Sequence, residues 1–408
     1  MNIKNTFFIV LACLFSLGSC QSQKKEPLTS KKQHEEITNT EINVGANQLK
    51  KYLPLLKSKR VGIVANQTSV IFKNTTKSEK QHTHIIDSLV SLKINIQKVF
   101  APEHGFRGKA DAGEHITNGK DPKTGIDIVS IYGKNKKPSI KQLRNLDIVI
   151  FDIQDVGARF YTYISSLHYV MEACAENNIP MLILDRPNPN GHYTDGPILE
   201  IEHKSFVGMH PIPVVHGMTI GEYAQMINGE KWLNNGIQCA ISIIKCENYT
   251  KQTEYSLPIK PSPNLPNDVA INLYPSLCFF EGTTVSAGRG TEMQFQIYGA
   301  PFLPKTNFNF IPKPNEGAKY PKHENKICNG EDLRNSTKLD LLNLKWLSHA
   351  YNLSSDKETF FNNFFTKLAG TKKLQHQIIN GVNDKEIKLS WQEGLQEYNQ
   401  MRKQYLLY

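Results

Sequence analysis

Five short apolar runs, at 61–65, 99–101, 126–131, 147–153 and 181–184, alternate with stretches of helical periodicity, and this alternation admits few folds. The first, 61–65, is continuously apolar, the pattern of a strand covered on both faces, and the others are predominantly so. Between the last two runs, Leu167, Val170, Met171 and Cys174 recur at i, i+3, i+4 and i+7, which gives a helix one apolar face. Leu49, Leu53 and Leu56 do the same ahead of the first run. Buried strands interleaved with amphipathic helices predict an α/β fold with a mostly parallel sheet. With 408 residues, 39% of them hydrophobic, the chain has material for two cores, and disorder as the whole answer is excluded.

Polar clusters follow the C-terminal ends of these runs. Asn66, Gln67 and Thr68 follow the first; Pro102, Glu103, His104, Gly105, Phe106 and Arg107 follow the second. Gln154, Asp155, Val156, Gly157, Ala158 and Arg159 come after another, with Tyr161 and Tyr163 beyond, and Asp185, Arg186, Pro187 and Asn188 close the last. In open α/β sheets ligands bind outside the carboxyl ends of the strands. Four sequence-distant loops are therefore expected to converge on one site. Exposed loops are polar for solubility alone, but solubility does not ask for Glu, His, Arg, Asp and paired Tyr.

Other tempting residues have structural explanations. Glu222 stands three residues after Thr219, ahead of Ile220, Tyr223, Ala224 and Ile227 at helical spacing, and reads as a capping box. His82 and His84 are read as surface histidines, having no third ligand in view. Gly288, Arg289 and Gly290 lack the third glycine and preceding strand of a dinucleotide fingerprint, and G-x-S-x-G, H-E-x-x-H and Walker motifs are missing. Cys174, Cys239, Cys246, Cys278 and Cys328 are odd in number and without C-x-x-C spacing, which argues against a zinc site or a full disulfide framework. Cys239 and Cys246 could form a pair, with no signal that they do. No metal or organic cofactor is expected.

The N-terminus speaks to compartment. Lys4 precedes an apolar stretch from Phe7 to Leu17, too short to span a bilayer but suited to a signal peptide, and it ends in Leu17, Gly18, Ser19, Cys20. This resembles the bacterial lipoprotein signal. It implies a removed segment 1–19, lipidation at Cys20, a tether over 20–43, and a periplasm-facing protein of the cell envelope held by a lipid anchor alone. The proline-rich stretch 258–266 is expected to separate a first domain, 44–257, from a second, 258–408. The second opens at 272–280 and closes on a helix carrying Trp391, Leu395, Tyr398, Met401 and Tyr405 on or near one face.

Lys and Arg number 48 against 38 Asp and Glu, a net charge of +10, which suits anionic partners in general. Only eight of these cations are arginines, and Arg107, Arg159, Arg186 and Arg289 fall in the motif loops.

Taken together, these stretches resemble a bacterial family of exo-β-N-acetylmuramidases, glycoside hydrolases of peptidoglycan recycling. The resemblance rests on the Asn-Gln-Thr turn at Asn66, PEHGFRGKADAGE from Pro102, FDIQDVGARFYTY from Phe151, DRPNPNG from Asp185, the stretch 262–266, EGTTVSAGRGT from Glu281, and the closing Tyr405, Leu406, Leu407, Tyr408. It implies a Rossmann-like N-terminal catalytic domain, a smaller α+β C-terminal domain and an active site in the cleft between them. It also implies removal of N-acetylmuramic acid from non-reducing ends of cell-wall fragments, with that sugar as partner and no nucleic acid.

Glycoside hydrolysis usually needs one carboxyl to protonate the leaving oxygen and a second group to attack or to activate water. Glu103, at a strand end beside His104 and Phe106, is the expected acid. Glu114 or Asp111 is its expected partner, with Asp155 a rival. A lactyl carboxylate calls for a bidentate arginine, so one or two of Arg107, Arg159, Arg186 and Arg289 are expected to bind it. Tyr161 and Tyr163 are expected to supply a sugar platform or hydroxyl bonds, and Asn66, His104, Asp155 and Asp185 complete the expected substrate contacts. Two other readings stay open at this point: a non-catalytic peptidoglycan-binding lipoprotein, and a different hydrolase of an anionic wall component.

Overall fold

The computed structural model describes residues 41–73, 81–107 and 118–408. Strands β1 (Val61–Ala65), β2 (Ile96–Ala101), β3 (Gly119–Lys120), β4 (Asp127–Ser130), β5 (Ile148–Asp152), β6 (Met181–Leu184) and β7 (Ile241–Ile244) form one sheet in the order β3-β4-β2-β1-β5-β6-β7. All neighbours run parallel except the short pair β3 and β4. Without β3, this is the strand order of a doubly wound Rossmann sheet, and it reverses between β1 and β5. The five apolar runs of the sequence are β1, β2, β4, β5 and β6.

Both faces of the central sheet are covered, which is why β1, β5 and β6 read as nearly unbroken apolar runs. Ile148 and Ile150 of β5 turn to one core with Tyr52 and Leu56 of α1 (Leu49–Leu56), while Val149 and Phe151 turn to the other. That second core takes the apolar face of α2 (Tyr163–Glu176), including Leu167, Val170, Met171 and Cys174, and that of α3 (Ile220–Gly229). β7 had no expectation behind it. It lies at the sheet margin beside β6 and is only half buried, although three of its four residues are isoleucines.

The C-terminal part begins with α4 (Asp268–Leu277). A three-stranded antiparallel sheet follows, made of β8 (Ile297–Ala300), β9 (Asn309–Phe310) and β10 (Cys328–Asp332) in the order β8-β10-β9. Five α-helices follow among the described residues, including α5 (Asn363–Ala369) and α6 (Gln392–Arg402), the last being the expected amphipathic helix. Phe279, Tyr298, Phe365 and Tyr398 from this part share one continuous core with Phe151, Met171 and Tyr223 from the first.

The Thr219–Glu222 capping box forms as expected at the start of α3. The surface reading of His84 needs correction. His82 is exposed, but His84 is buried, its Nε2 donating to the Asn66 carbonyl at 2.9 Å and its Nδ1 accepting from the Ile86 amide at 3.3 Å. All five body cysteines are buried and free, so Cys239 and Cys246 do not pair. Among the described residues no helix is long and apolar enough to cross a membrane.

Candidate active site

Glu103 owes its position to a sharp turn at the end of β2. His104 and Gly105 both take left-handed backbone angles, φ 68° and 75°, and the Gly105 amide closes the turn on the Pro102 carbonyl at 3.0 Å. A left-handed histidine is uncommon, and such conformations concentrate at functional sites. The turn leaves both Glu103 and His104 lining a cleft of about 360 Å³.

Two hydroxyls hold the carboxyl. Tyr132 donates to Glu103 Oε1 at 2.8 Å and Thr162 to Oε2 at 2.6 Å. Behind it, Asn66 Nδ2 donates to the Tyr163 hydroxyl at 2.8 Å, and that hydroxyl reaches the Glu103 carbonyl at 3.4 Å. Asn66 and Tyr163 thus support the turn from beneath, buried, and are not among the residues lining the cleft. Burial pushes the Tyr163 phenol above its usual range, so it stays a neutral donor.

Tyr161 does face the cleft, its hydroxyl fixed on the Pro261 carbonyl at 2.7 Å. Phe160, Tyr274, Phe295 and Phe206 extend this aromatic wall. Phe160 meets Tyr274 edge-on at 5.4 Å, and Tyr274 meets Phe295 in the same way at 4.9 Å. Such a wall suits the apolar face of a sugar ring. Gly157 allows the chain to reach it: at φ 80° it passes so close to Asn188 that a Cβ would strike that carboxamide.

Glu281 is a second carboxylate lining the same cleft, and the sequence reading did not assign it a role. Arg289 Nη1 lies 3.1 Å from Glu281 Oε2, and Arg289 Nη2 donates to the Gly317 carbonyl at 3.0 Å. The turn carrying Glu281 wraps around one ammonium. Lys322 Nζ donates to the carbonyls of Phe280, Glu281, Thr283 and Val285 at 2.7, 3.2, 2.8 and 3.3 Å. Burial pulls the Lys322 ammonium below its usual pKa. The only local hint of this arrangement was Glu281 standing eight residues ahead of Arg289 in one motif run; Lys322 and Tyr132 carried none.

Of the four arginines singled out in the sequence, Arg289 is the one lining the cleft. The other three have structural partners. Arg159 is fully buried and donates to the carbonyls of Pro197, Ile212, Leu368 and Ala369 at 2.6 to 2.9 Å. Two of these are the terminal carbonyls of α5, where a cation is favoured. Arg186 is buried in a bidentate pair with Asp152 at 2.6 and 3.0 Å and also donates to the Val70 carbonyl. Arg107 stacks on Phe106 and pairs with Asp121 at 2.9 Å and Asp87 at 3.6 Å.

Two aspartates also lie away from the cleft lining. Asp155 is buried, accepting from the Gly157 amide at 2.7 Å, with His216 Nε2 at 3.5 Å. Asp185 is fully buried at the start of α3, accepting from the Gly221 amide, the Thr219 hydroxyl and the Tyr408 hydroxyl at 2.9, 2.7 and 2.8 Å. These placements correct the expected substrate contacts: polar strand-end residues turned inward to satisfy buried backbone and helix ends. Asp111, Glu114 and Cys20 lie outside the described residues.

Two carboxyls in different settings, one between neutral hydroxyls and one on a guanidinium, facing an aromatic wall at the carboxyl ends of a parallel sheet, define a glycosidase-type site. The family models agree and carry the assignment further. Residues 61–269 match the N-terminal domain of the exo-β-N-acetylmuramidase NamZ family and 272–408 its C-terminal domain, so the chain belongs to that family and is a glycosidase. It is 36% identical to the peptidoglycan β-N-acetylmuramidase NamZ of Bacillus subtilis strain 168, with 100% of both chains covered. Two crystal structures of DUF1343 family proteins from Bacteroides fragilis NCTC 9343 are also similar. The first has TM-score 0.81 at 46% identity, the second 0.75 at 27%, and each covers 90% of this chain and 99% of its own.

Proposed function

We propose that this protein is an exo-acting muramidase that releases N-acetylmuramic acid from the non-reducing ends of peptidoglycan fragments such as MurNAc-GlcNAc, in cell-wall turnover and recycling. The observation that carries this reading is the joint presence of Glu103 and the Glu281–Arg289 pair in one aromatic-walled cleft. Glu103 delivers its proton to the departing glycosidic oxygen, with Tyr132 and Thr162 fixing its direction. Glu281, paired with Arg289, stabilises the positive charge that develops on the sugar or directs the group that attacks it. Asp111 and Glu114 are the other candidates for this second role. Arg289, the one motif-loop arginine lining the cleft, is the guanidinium placed to meet the lactyl carboxylate.

The deciding experiment is incubation of the purified protein with MurNAc-GlcNAc and chromatographic detection of free N-acetylmuramic acid. Release by the wild type is expected; its failure would overturn the reading. The sequence before residue 41 adds a proposal about place: lipidation at Cys20 ties the protein to a periplasm-facing membrane surface, and Cys20→Ala should move it from the membrane to the soluble fraction.

A further inference from the structure

We infer that a second hollow beside the cleft is the binding site for the leaving group, a neutral N-acetylhexosamine. This inference rests on the muramidase reading and adds the location and chemistry of a subsite to it. The hollow measures about 450 Å³ and is lined by Gln67, Lys260, Ser262, Glu292, Gln294 and Glu316, among others. It adjoins the cleft directly, because Ser262 lines both. The Pro261 carbonyl joins them as well, accepting from Tyr161 on the cleft side at 2.7 Å and from Gln67 Nε2 on the hollow side at 2.9 Å. Gln67 itself is the chain neighbour of Asn66, which supports the Glu103 turn.

Two side chains that line the hollow carry buried acceptors without donors. Gln294 is only 6% exposed, and its Oε1 is buried with no hydrogen-bond partner. Gln67 Oε1 is in the same condition, although its Nε2 is used on Pro261 and on the Lys260 carbonyl at 3.2 Å. A buried acceptor without a donor is destabilising, and folded proteins carry few of them. Both belong to residues lining the same hollow, so an incoming molecule rich in hydroxyl and amide donors satisfies them together. A sugar with an acetamido group is such a molecule. Charge argues for a neutral one: Glu292 and Glu316 outnumber Lys260, which opposes the carboxylates of a stem peptide. The substrate then lies across Ser262, with the carboxylated sugar in the cleft and the departing sugar in the hollow.

The test compares kcat/KM for MurNAc-GlcNAc with that for an aryl N-acetylmuraminide, which has no leaving-group sugar. In Gln294→Leu the disaccharide-to-aryl ratio should fall about tenfold, the usual effect of losing one buried hydrogen bond to a ligand. Gln67→Leu, at a partly exposed position, should lower the ratio too and covers the case in which the buried variant does not fold. Free N-acetylglucosamine should bind the wild type, measured by calorimetry, and bind Gln294→Leu about tenfold more weakly. An unchanged ratio with unchanged N-acetylglucosamine binding would overturn the subsite. So would a defect confined to substrates carrying a stem peptide, which would assign the hollow to the peptide. A wild type that hydrolyses neither substrate yet binds N-acetylglucosamine through Gln294 would overturn the muramidase reading and leave a sugar site standing.

Discussion

Glu103 follows β2 and Arg159 follows β5, strand ends separated in the sheet by β1, and the two side chains have opposite roles. The carboxyl of Glu103 is turned into the cleft and held by the hydroxyls of Tyr132 and Thr162. Replacing it with Gln preserves shape and one acceptor oxygen but removes the transferable proton, so kcat on MurNAc-GlcNAc should fall roughly 10²- to 10⁴-fold. The loss should be smaller on an aryl muraminide, whose leaving group needs less protonation, and steady-state kinetics on the two substrates would check this. Arg159 instead satisfies four buried carbonyls from both parts of the molecule. A lysine cannot reach them all. Arg159→Lys should therefore lower stability by about 3 kcal/mol, seen in denaturant unfolding, with KM for the disaccharide little changed.

At the scale of elements, the start of α3 gathers contacts from across the chain. Thr219 and Glu222 form the cap, Asp185 accepts from the Thr219 hydroxyl and the Gly221 amide, and Lys251 pairs with Glu222. The last residues of the chain close over this cluster. The Tyr408 hydroxyl donates to Asp185 at 2.8 Å and accepts from the Cys246 amide at 2.7 Å, and the Leu407 amide donates to Glu222 at 2.9 Å. The terminal tyrosine thus behaves as a pin between the helix start and β7. Tyr408→Phe leaves a buried carboxyl short of a donor and should cost about 1–3 kcal/mol, measured as a lower thermal midpoint, because the pin lies outside the cleft lining.

For the whole molecule, buried titratable groups make stability depend on pH. Burial pulls His84 and His168 down to about 4, and His210 well below its usual value. All three are freed on unfolding to titrate near 6.5. Between about pH 6.5 and 4 the unfolded chain takes up protons that the folded chain refuses, so stability falls on acidification. Asp185 acts in the opposite sense: burial pushes it from 3.8 up to about 6, so its contribution is full below 3.8 and is lost as pH rises through 6. Three imidazoles outweigh one carboxyl. The thermal midpoint should therefore drop between pH 7 and 4.5, and the drop should be steeper in Asp185→Asn; a flat profile would contradict the burial argument.

The sequence by itself determined the layered α/β architecture, five of the sheet strands and the loops around which the site is built. Those features depend on near neighbours in the chain: an apolar run needs cover on both faces, a 3.6-residue period needs one apolar face, and Thr219 with Glu222 three residues on needs only a helix start. Glu103 was legible for the same reason, as an acidic residue immediately after a buried strand. Only the tertiary structure decided which polar residues look into the cleft. Arg159, Arg186 and Asp185 carry the same composition signal as Arg289, yet they turn inward because helix ends and backbone carbonyls from remote segments lie there to be satisfied. Lys322 and Tyr132 reach the site from positions with no local mark, and Glu281 from one marked only by the motif run it opens, because a cleft at strand ends is assembled across the fold and a side chain's direction is set by partners far away in sequence.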